Sequence, residues 1–445
     1  MKNEVKVYLT AMATDFRIAQ MDSVPLTKDT KGVEKPLICL YEDAEYQTMI
    51  GFGGAFTEAA AETYYKLPEK VRKEIAAAYF DSEKGNGYTF CRTHMNSCDF
   101  SLGNYACAEK PGDIELESFN INREKKAIIP MMKEASEYGD FQLLISPWSP
   151  PAWMKDTGKM NYGGKLLPEY KDAWARYYAK FIQAYRKEGL NIWGTTVQNE
   201  PKAVQIWDSC IYTAEEEKDF VKEHLGPVMQ KEGLGDVKIL IWDHNKERLY
   251  QHSKAAYEDA AASRYISGSA FHWYSGDHFG ALDAVHKRWP EKQLVFTEGA
   301  TIMRLGIGAW ENAEVYSHDM IGNLNNYAAA WCEWNMLLDE EGGPNHVGNF
   351  SEAPIIGDTR SGKIEYKPSY YYIGHFSRFI RPGSKRIGCS IFTEDLECTA
   401  FKNQNGEIAV VVLNRNDKAV DFSLYLNEQL AAFESLPHSI MTLVI

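Results

Sequence analysis

The sequence predicts an α/β protein, a (β/α)8 TIM barrel carrying an accessory β-sandwich built from both termini. Three observations predict it. Between about residues 49 and 375, short apolar runs alternate with amphipathic helical segments eight times, the mark of βα units. From about 376 to 445 only strand-like runs remain, joined by turn signals such as Asn405-Gly406. Residues 1–48 likewise hold strand-like segments without helical periodicity, and nothing else near them could bury those strands. The expected division is therefore 1–48 and 376–445 for the sandwich, with 49–375 for the barrel.

In chain order, the sandwich begins with Val5–Leu9 and Pro36–Tyr41, separated by the polar stretch Lys28–Lys35. The eight expected barrel strands are Met49–Ala55, Tyr88–Asn96, Gln142–Trp148, Ile192–Glu200, Val237–Asp243, Gly268–Tyr274, Gln293–Glu298 and Tyr327–Asn335. The clearest helix between them spans Pro168 to Glu188. Pro168 suits a first turn, Trp174, Tyr177, Tyr178, Phe181, Ile182 and Tyr185 share one face, and Gly189 ends it. A doubly wound sheet is the rival, but the dinucleotide fingerprint is missing and eight units favour closure. Cys398–Phe401, Ile408–Asn414, Val420–Leu426 and Ile440–Ile445 complete the sandwich.

Composition narrows the function. A net charge of −14 with no basic stripe excludes a nucleic-acid partner. No stretch is apolar enough to span a bilayer, and Met1–Thr10 has no apolar signal region, so a cytoplasmic location is expected. The eight cysteines form no CxxC pair and no metal-ligand spacing, and reduced thiols are expected. Aromatic content of 13% suits either core packing or a carbohydrate platform.

The chemistry concentrates where strands end. Ile192–Pro201 (IWGTTVQNEP) is an apolar, β-branched run stopping at Asn199-Glu200-Pro201, and Pro201 has no amide hydrogen for a ladder. Gln293–Ala300 (QLVFTEGA) repeats the pattern and ends in Glu298. Two carboxylates at the C-terminal ends of barrel strands are the equipment of glycosidic bond hydrolysis. The other strand ends offer Glu58; Arg92, His94, Asn96 and Asp99; Trp148 and Trp153; His272, Trp273 and Tyr274; Trp334 and Asn335, with Asn349 beyond. Each has a plainer explanation. A Glu beside Pro can mark a solvated loop, and Trp148 and Trp334 can be barrel packing. His94 and His272 read better as hydrogen-bonding core residues than as metal ligands, because no His-x-His or His-x-x-x-His accompanies an acid.

Six motifs together carry a family resemblance: Gly51–Thr57 (GFGGAFT), Ser97–Ser101 (SCDFS), Ser146–Trp153 (SPWSPPAW), Asn199–Pro201 (NEP), His272–Tyr274 (HWY) and Glu340–Asn345 (EEGGPN). With Gly374–Ser384 (GHFSRFIRPGS) and Val411–Arg415 (VVLNR), they make the chain resemble glycoside hydrolase family 30, and within it the glucosylceramidase branch. The resemblance runs from about residue 50 to the C-terminus. It implies a (β/α)8 barrel with a two-terminus β-sandwich, Glu200 as acid/base and Glu298 as nucleophile. It further implies Asn199 at the sugar 2-hydroxyl, Tyr274 beside the nucleophile, and His272, Trp148, Trp334 and Asn349 among the sugar-binding residues. Where the glucosylceramidases are expected to carry Asp after Gly-Gly-Ala-Met-Thr, this chain has Glu58, expected to reach the glycone hydroxyls.

The implied reaction is retaining hydrolysis of a β-linked glucoside, the partner being a β-glycoside or glycolipid, with neither metal nor organic cofactor. The roles call for Glu298 ionised and Glu200 protonated at rest. Alternatives are β-1,6-glucanase or β-xylosidase activity within the family, a non-hydrolytic carbohydrate-binding protein, or a metal-dependent barrel hydrolase.

Overall fold

The computed structural model describes residues 4–301, 306 and 308–445. Its centre is a closed barrel of eight parallel strands in sequence order. They are Gly51–Phe56, Phe90–Met95, Gln142–Pro147, Ile192–Thr196, Lys238–Asn245, Ile266–His272, Gln293–Glu298 and Ala328–Asn335. Most are buried along their whole length, which explains why they read as apolar runs rather than alternations. Phe90, Leu144, Leu240, Ala270, Val295, Ala330 and Cys332 fill one compact cluster of strand side chains. Packing is tight at the first strand, where a Cβ on Gly53 would lie 1.8 Å from the carbonyl oxygen of Phe90.

The long helix begins later than the sequence suggests. Pro168–Tyr170 forms a short 3-10 turn and the α-helix runs from Lys171 to Lys187. Its expected apolar face is buried without exception, and Gly189 closes it at φ +88°.

The fourth strand is also shorter than expected. It stops at Thr196, and Val197–Glu200 continue as an irregular segment tied to its neighbours by Val197 N–H to Leu240 O, Asn199 N–H to Pro147 O and Glu200 N–H to Asp243 O. Glu200 itself sits at φ +48°, a left-handed conformation uncommon for a residue with a side chain. A second such kink lies in the fifth strand, where Trp242 and Asp243 have φ of +75° and +49° and the register against the sixth strand slips.

Ten of the remaining strands form one sheet with its own apolar core. Both termini enter it. Glu4–Ala11 pairs with Ser439–Val444, and Leu37–Thr48 pairs with Lys385–Ile391. Ile408–Asn414 shows why the C-terminal runs are so apolar. Ile408, Val410 and Val412 pack in the sandwich core, whereas Ala409, Val411 and Leu413 join the core that surrounds the barrel. A small sheet of Leu337–Asp339, Ile355–Asp358 and Lys363–Tyr366 was not expected from sequence; it supports the loop carrying Asn349 and Phe350. No helix among the described residues is long and apolar enough to cross a membrane.

Candidate active site

The second strand contributes the residue around which the site is arranged. Arg92 is fully buried, and its guanidinium donates to Glu298 Oε2 at 2.5 Å, Asn199 Oδ1 at 2.8 Å, Asp243 Oδ2 at 2.8 Å and Ser146 Oγ at 3.1 Å. Four different strands or strand ends are thereby held by one planar fork. Trp148 and Trp334 stack on each other with centroids 5.0 Å apart, and the guanidinium lies 4.8 Å and 5.6 Å from their rings.

Asp243 neutralises part of that charge. It also accepts from Thr196 Oγ1 at 2.7 Å and Thr297 Oγ1 at 2.6 Å, and faces His272 Nε2 at 3.0 Å. Burial would raise its carboxyl, but Arg92, His272 and Thr297 hold it far below the ordinary carboxylate range. His272 in turn is pulled down by burial and pushed up more strongly by Glu298, Asp243 and Glu200, to about 9.

Glu298 and Glu200 both line one cavity of about 270 Å³, with Asn199, Tyr274, Trp148, Trp334, Asn349, Asp99, Gln205, Trp207 and His244 among its walls. Tyr274 donates its hydroxyl to Glu298 Oε1 at 3.1 Å. Glu200 Oε1 lies 3.5 Å from His272 Nδ1 and 3.6 Å from His244 Nδ1. At Glu298 burial outweighs His272 and Arg92, Glu200 adds repulsion, and the carboxyl is raised. At Glu200 burial is outweighed by His272 and then His244, and the carboxyl is lowered. That order is the reverse of the one the sequence led us to expect. Its cause is His272, a neighbour from the sixth strand whose positive charge stands beside Glu200.

Two expected sugar-binding residues lie elsewhere. Glu58 does not line the cavity. Arg123 takes both its oxygens, at 2.7 Å and 3.0 Å, and the Leu102 amide adds a bond at 2.9 Å. His272 is fully buried behind Glu200 rather than on the cavity wall.

The carboxylate that does face Glu298 is Asp99, in the SCDFS motif. Burial, then the charge of Glu298, push it up to about 8, while a hydrogen bond from Asn349 Nδ2 at 3.1 Å works the other way. The sequence places Arg92 and Asp99 among the strand-end groups and Asp243 at the end of the fifth expected strand, but assigns none of them a role in the site. Asp243 had the signal that exposed Glu298, a carboxylate ending an expected strand.

A paired carboxylate site at the C-terminal ends of barrel strands, walled by tryptophan and amide side chains, is the site of a glycosidase. Comparison with known proteins specifies which kind. Residues 49–380 match the glycosyl hydrolase family 30 TIM-barrel domain and residues 383–443 its beta sandwich domain. The chain belongs to glycoside hydrolase family 30 and is an O-glycosyl hydrolase by descent.

It is 34% identical to the lysosomal acid glucosylceramidase of Mus musculus over 87% of this chain and 79% of that protein. It is 27% identical to an endo-1,6-beta-D-glucanase of Neurospora crassa over 82% of this chain and 78% of that protein. Among solved structures, SrfJ from Salmonella typhimurium superposes with a TM-score of 0.96 at 35% identity, covering 99% of both chains. The endo-beta1,6-glucanase BT3312 superposes with a TM-score of 0.88 at 30% identity, again over 99% of both chains.

Proposed function

We propose that the protein hydrolyses β-linked glucosides with retention of configuration. The observation carrying this is the unequal setting of the two carboxylates. Glu298 is bonded to Arg92 and Tyr274, which fix an ionised oxygen for attack on the anomeric carbon. Glu200 faces two imidazoles, of which His272 is the protonated one, but stands free to reach a leaving oxygen. For the first step Glu200 needs a proton, and protonated His272 is the neighbour that carries one. Glu200 then returns as base to activate the water that cleaves the glycosyl-enzyme.

The cavity is at the small end for ligand sites and suits a single sugar ring. Val204 and Ile206, 65% and 52% exposed, flank cavity residue Gln205, and Phe350 adds a further half-exposed ring. The exposed apolar side chains near Gln205 and the cavity ring Phe350 suit an apolar aglycone such as a glycolipid. A β-1,6-glucan is the second reading, favoured by a neighbouring cavity of about 570 Å³ lined by Trp153, Tyr162, Asn104 and Asn161.

Azide separates the two glutamates. Glu200→Ala with a dinitrophenyl β-glucoside keeps its first step and is rescued by azide to the β-glucosyl azide. Glu298→Ala gives the α-azide. Exchanged products would exchange the roles, and unaffected hydrolysis in both variants would remove the assignment. Parallel assays on glucosylceramide, β-1,6-gluco-oligosaccharides and aryl β-xyloside decide the substrate.

A further inference from the structure

Three ligand-bearing atoms converge beside the cavity at spacings longer than a well-formed hydrogen bond. Glu200 Oε1 is 3.6 Å from His244 Nδ1 and 3.5 Å from His272 Nδ1, and all three atoms lie within 4.8 Å of one another. Both imidazole nitrogens are buried, and neither has a hydrogen-bond partner in the protein. Two imidazole nitrogens and a carboxylate oxygen gathered this closely form a donor set that one ion can hold together.

The other nitrogen of His272 faces Asp243 at 3.0 Å, the carboxylate–imidazole pairing that orients a metal-bound histidine. Bonds of about 2.0–2.2 Å to a tetrahedral ion place ligand atoms roughly 3.3–3.5 Å apart, close to both spacings at Glu200. The third spacing, between the two imidazoles, is within 4.8 Å. Glu200 and His244 line the cavity, leaving a fourth position open to a solvent molecule. Two imidazoles and one carboxylate are donors suited to zinc.

We propose that Glu200, His244 and His272 form a reversible inhibitory site for a divalent ion of the zinc class. The ion takes a lone pair of Glu200 Oε1 and one from each imidazole, and the proton it displaces from His272 leaves to solvent. Glu200 can then neither give a proton to a leaving oxygen nor accept one from water. The binding stands on geometry alone; the loss of turnover rests on the acid/base role proposed for Glu200.

The test uses the full chain, stripped with EDTA and freed of chelator, titrated calorimetrically with zinc chloride and spectroscopically with cobalt chloride. His244→Ala and the more conservative His244→Asn are titrated alongside, with thermal unfolding to show that each is folded. The wild type is expected to show one saturable zinc site and tetrahedral cobalt absorption, both lost in the two variants. Saturating zinc should lower wild-type hydrolysis of an aryl β-glucoside more than tenfold, with recovery on adding EDTA. Whatever activity the variants retain should change less than twofold. Zinc isotherms unchanged in folded variants, or no saturable site in the wild type, would overturn the metal site and leave the hydrolase reading intact. Zinc bound through His244 without inhibition would overturn the inhibitory site. Activity abolished by EDTA would overturn inhibition by making the ion a cofactor.

Discussion

Glu58 and Asp99 follow the first two strands at nearly the same depth, yet only one faces the cavity. Glu58 is taken up by Arg123, whose guanidinium also lies 4.1 Å from the Tyr105 ring. Asp99 has no cationic partner among its hydrogen bonds and stands where a sugar hydroxyl would replace Asn349 as donor. Asp99, pushed up to about 8, is protonated at neutral pH, so Asp99→Ala should lower kcat/KM by about tenfold, the loss of about 1.5 kcal/mol of hydrogen bonding. Glu58→Ala should leave kcat/KM within about threefold and lower the melting temperature, because it unpairs Arg123 and the Leu102 amide. Michaelis–Menten kinetics with thermal unfolding on both variants checks this; a large kinetic loss at Glu58 with Asp99→Ala unaffected would restore Glu58 as the sugar-binding acid.

At the scale of the element, strand ends were readable because period and punctuation are local. Pro201 marked one end, and the buried run before Glu298 gave the other strand to the residue. What could not be read was pairing across the barrel. Arg92 meets Glu298 at a sequence separation of 206, and which of Glu58 and Asp99 turns inward depends on Arg123, 65 residues beyond Glu58. The pKa order failed for the same reason, since His272 reaches Glu200 only through the barrel's closure. The small sheet of residues 337–366 escaped because its strands have three or four residues, too few to show alternation.

The last strand, by contrast, was legible and is structurally central. Ser439–Val444 is paired on both sides, to Glu4–Ala11 and to Ile408–Asn414. Thr442 and Thr10, from the two terminal strands, meet buried His375 at 2.9 Å each. Deleting Ile440–Ile445 should detach the N-terminal strands, expose an unpaired apolar edge and cause aggregation. Light scattering and a melting curve decide it; an unchanged melting temperature and solubility would refute that role.

Over the whole molecule, buried charge links stability to pH. The folded state holds His272 up to about 9, above an ordinary value near 6.5. A group raised in this way stabilises fully below the unfolded value, and its contribution is lost as pH rises through the folded one. The expected size is about 3 kcal/mol. The stability difference between wild type and His272→Asn, from denaturant unfolding, should therefore narrow between pH 6 and pH 9.5. A difference that stays constant or widens would show that His272 is neutral in the folded protein.

All of these arrangements serve one proposed event, attack by Glu298 on the face of the sugar opposite the leaving group. Its outcome is written in the first product. Proton NMR of wild-type hydrolysis of an aryl β-glucoside, followed from the earliest time points, should show β-glucose appearing first, with α-glucose rising only at the rate of mutarotation. An α-anomer formed first would mean single displacement by water, and would contradict Glu298 as nucleophile.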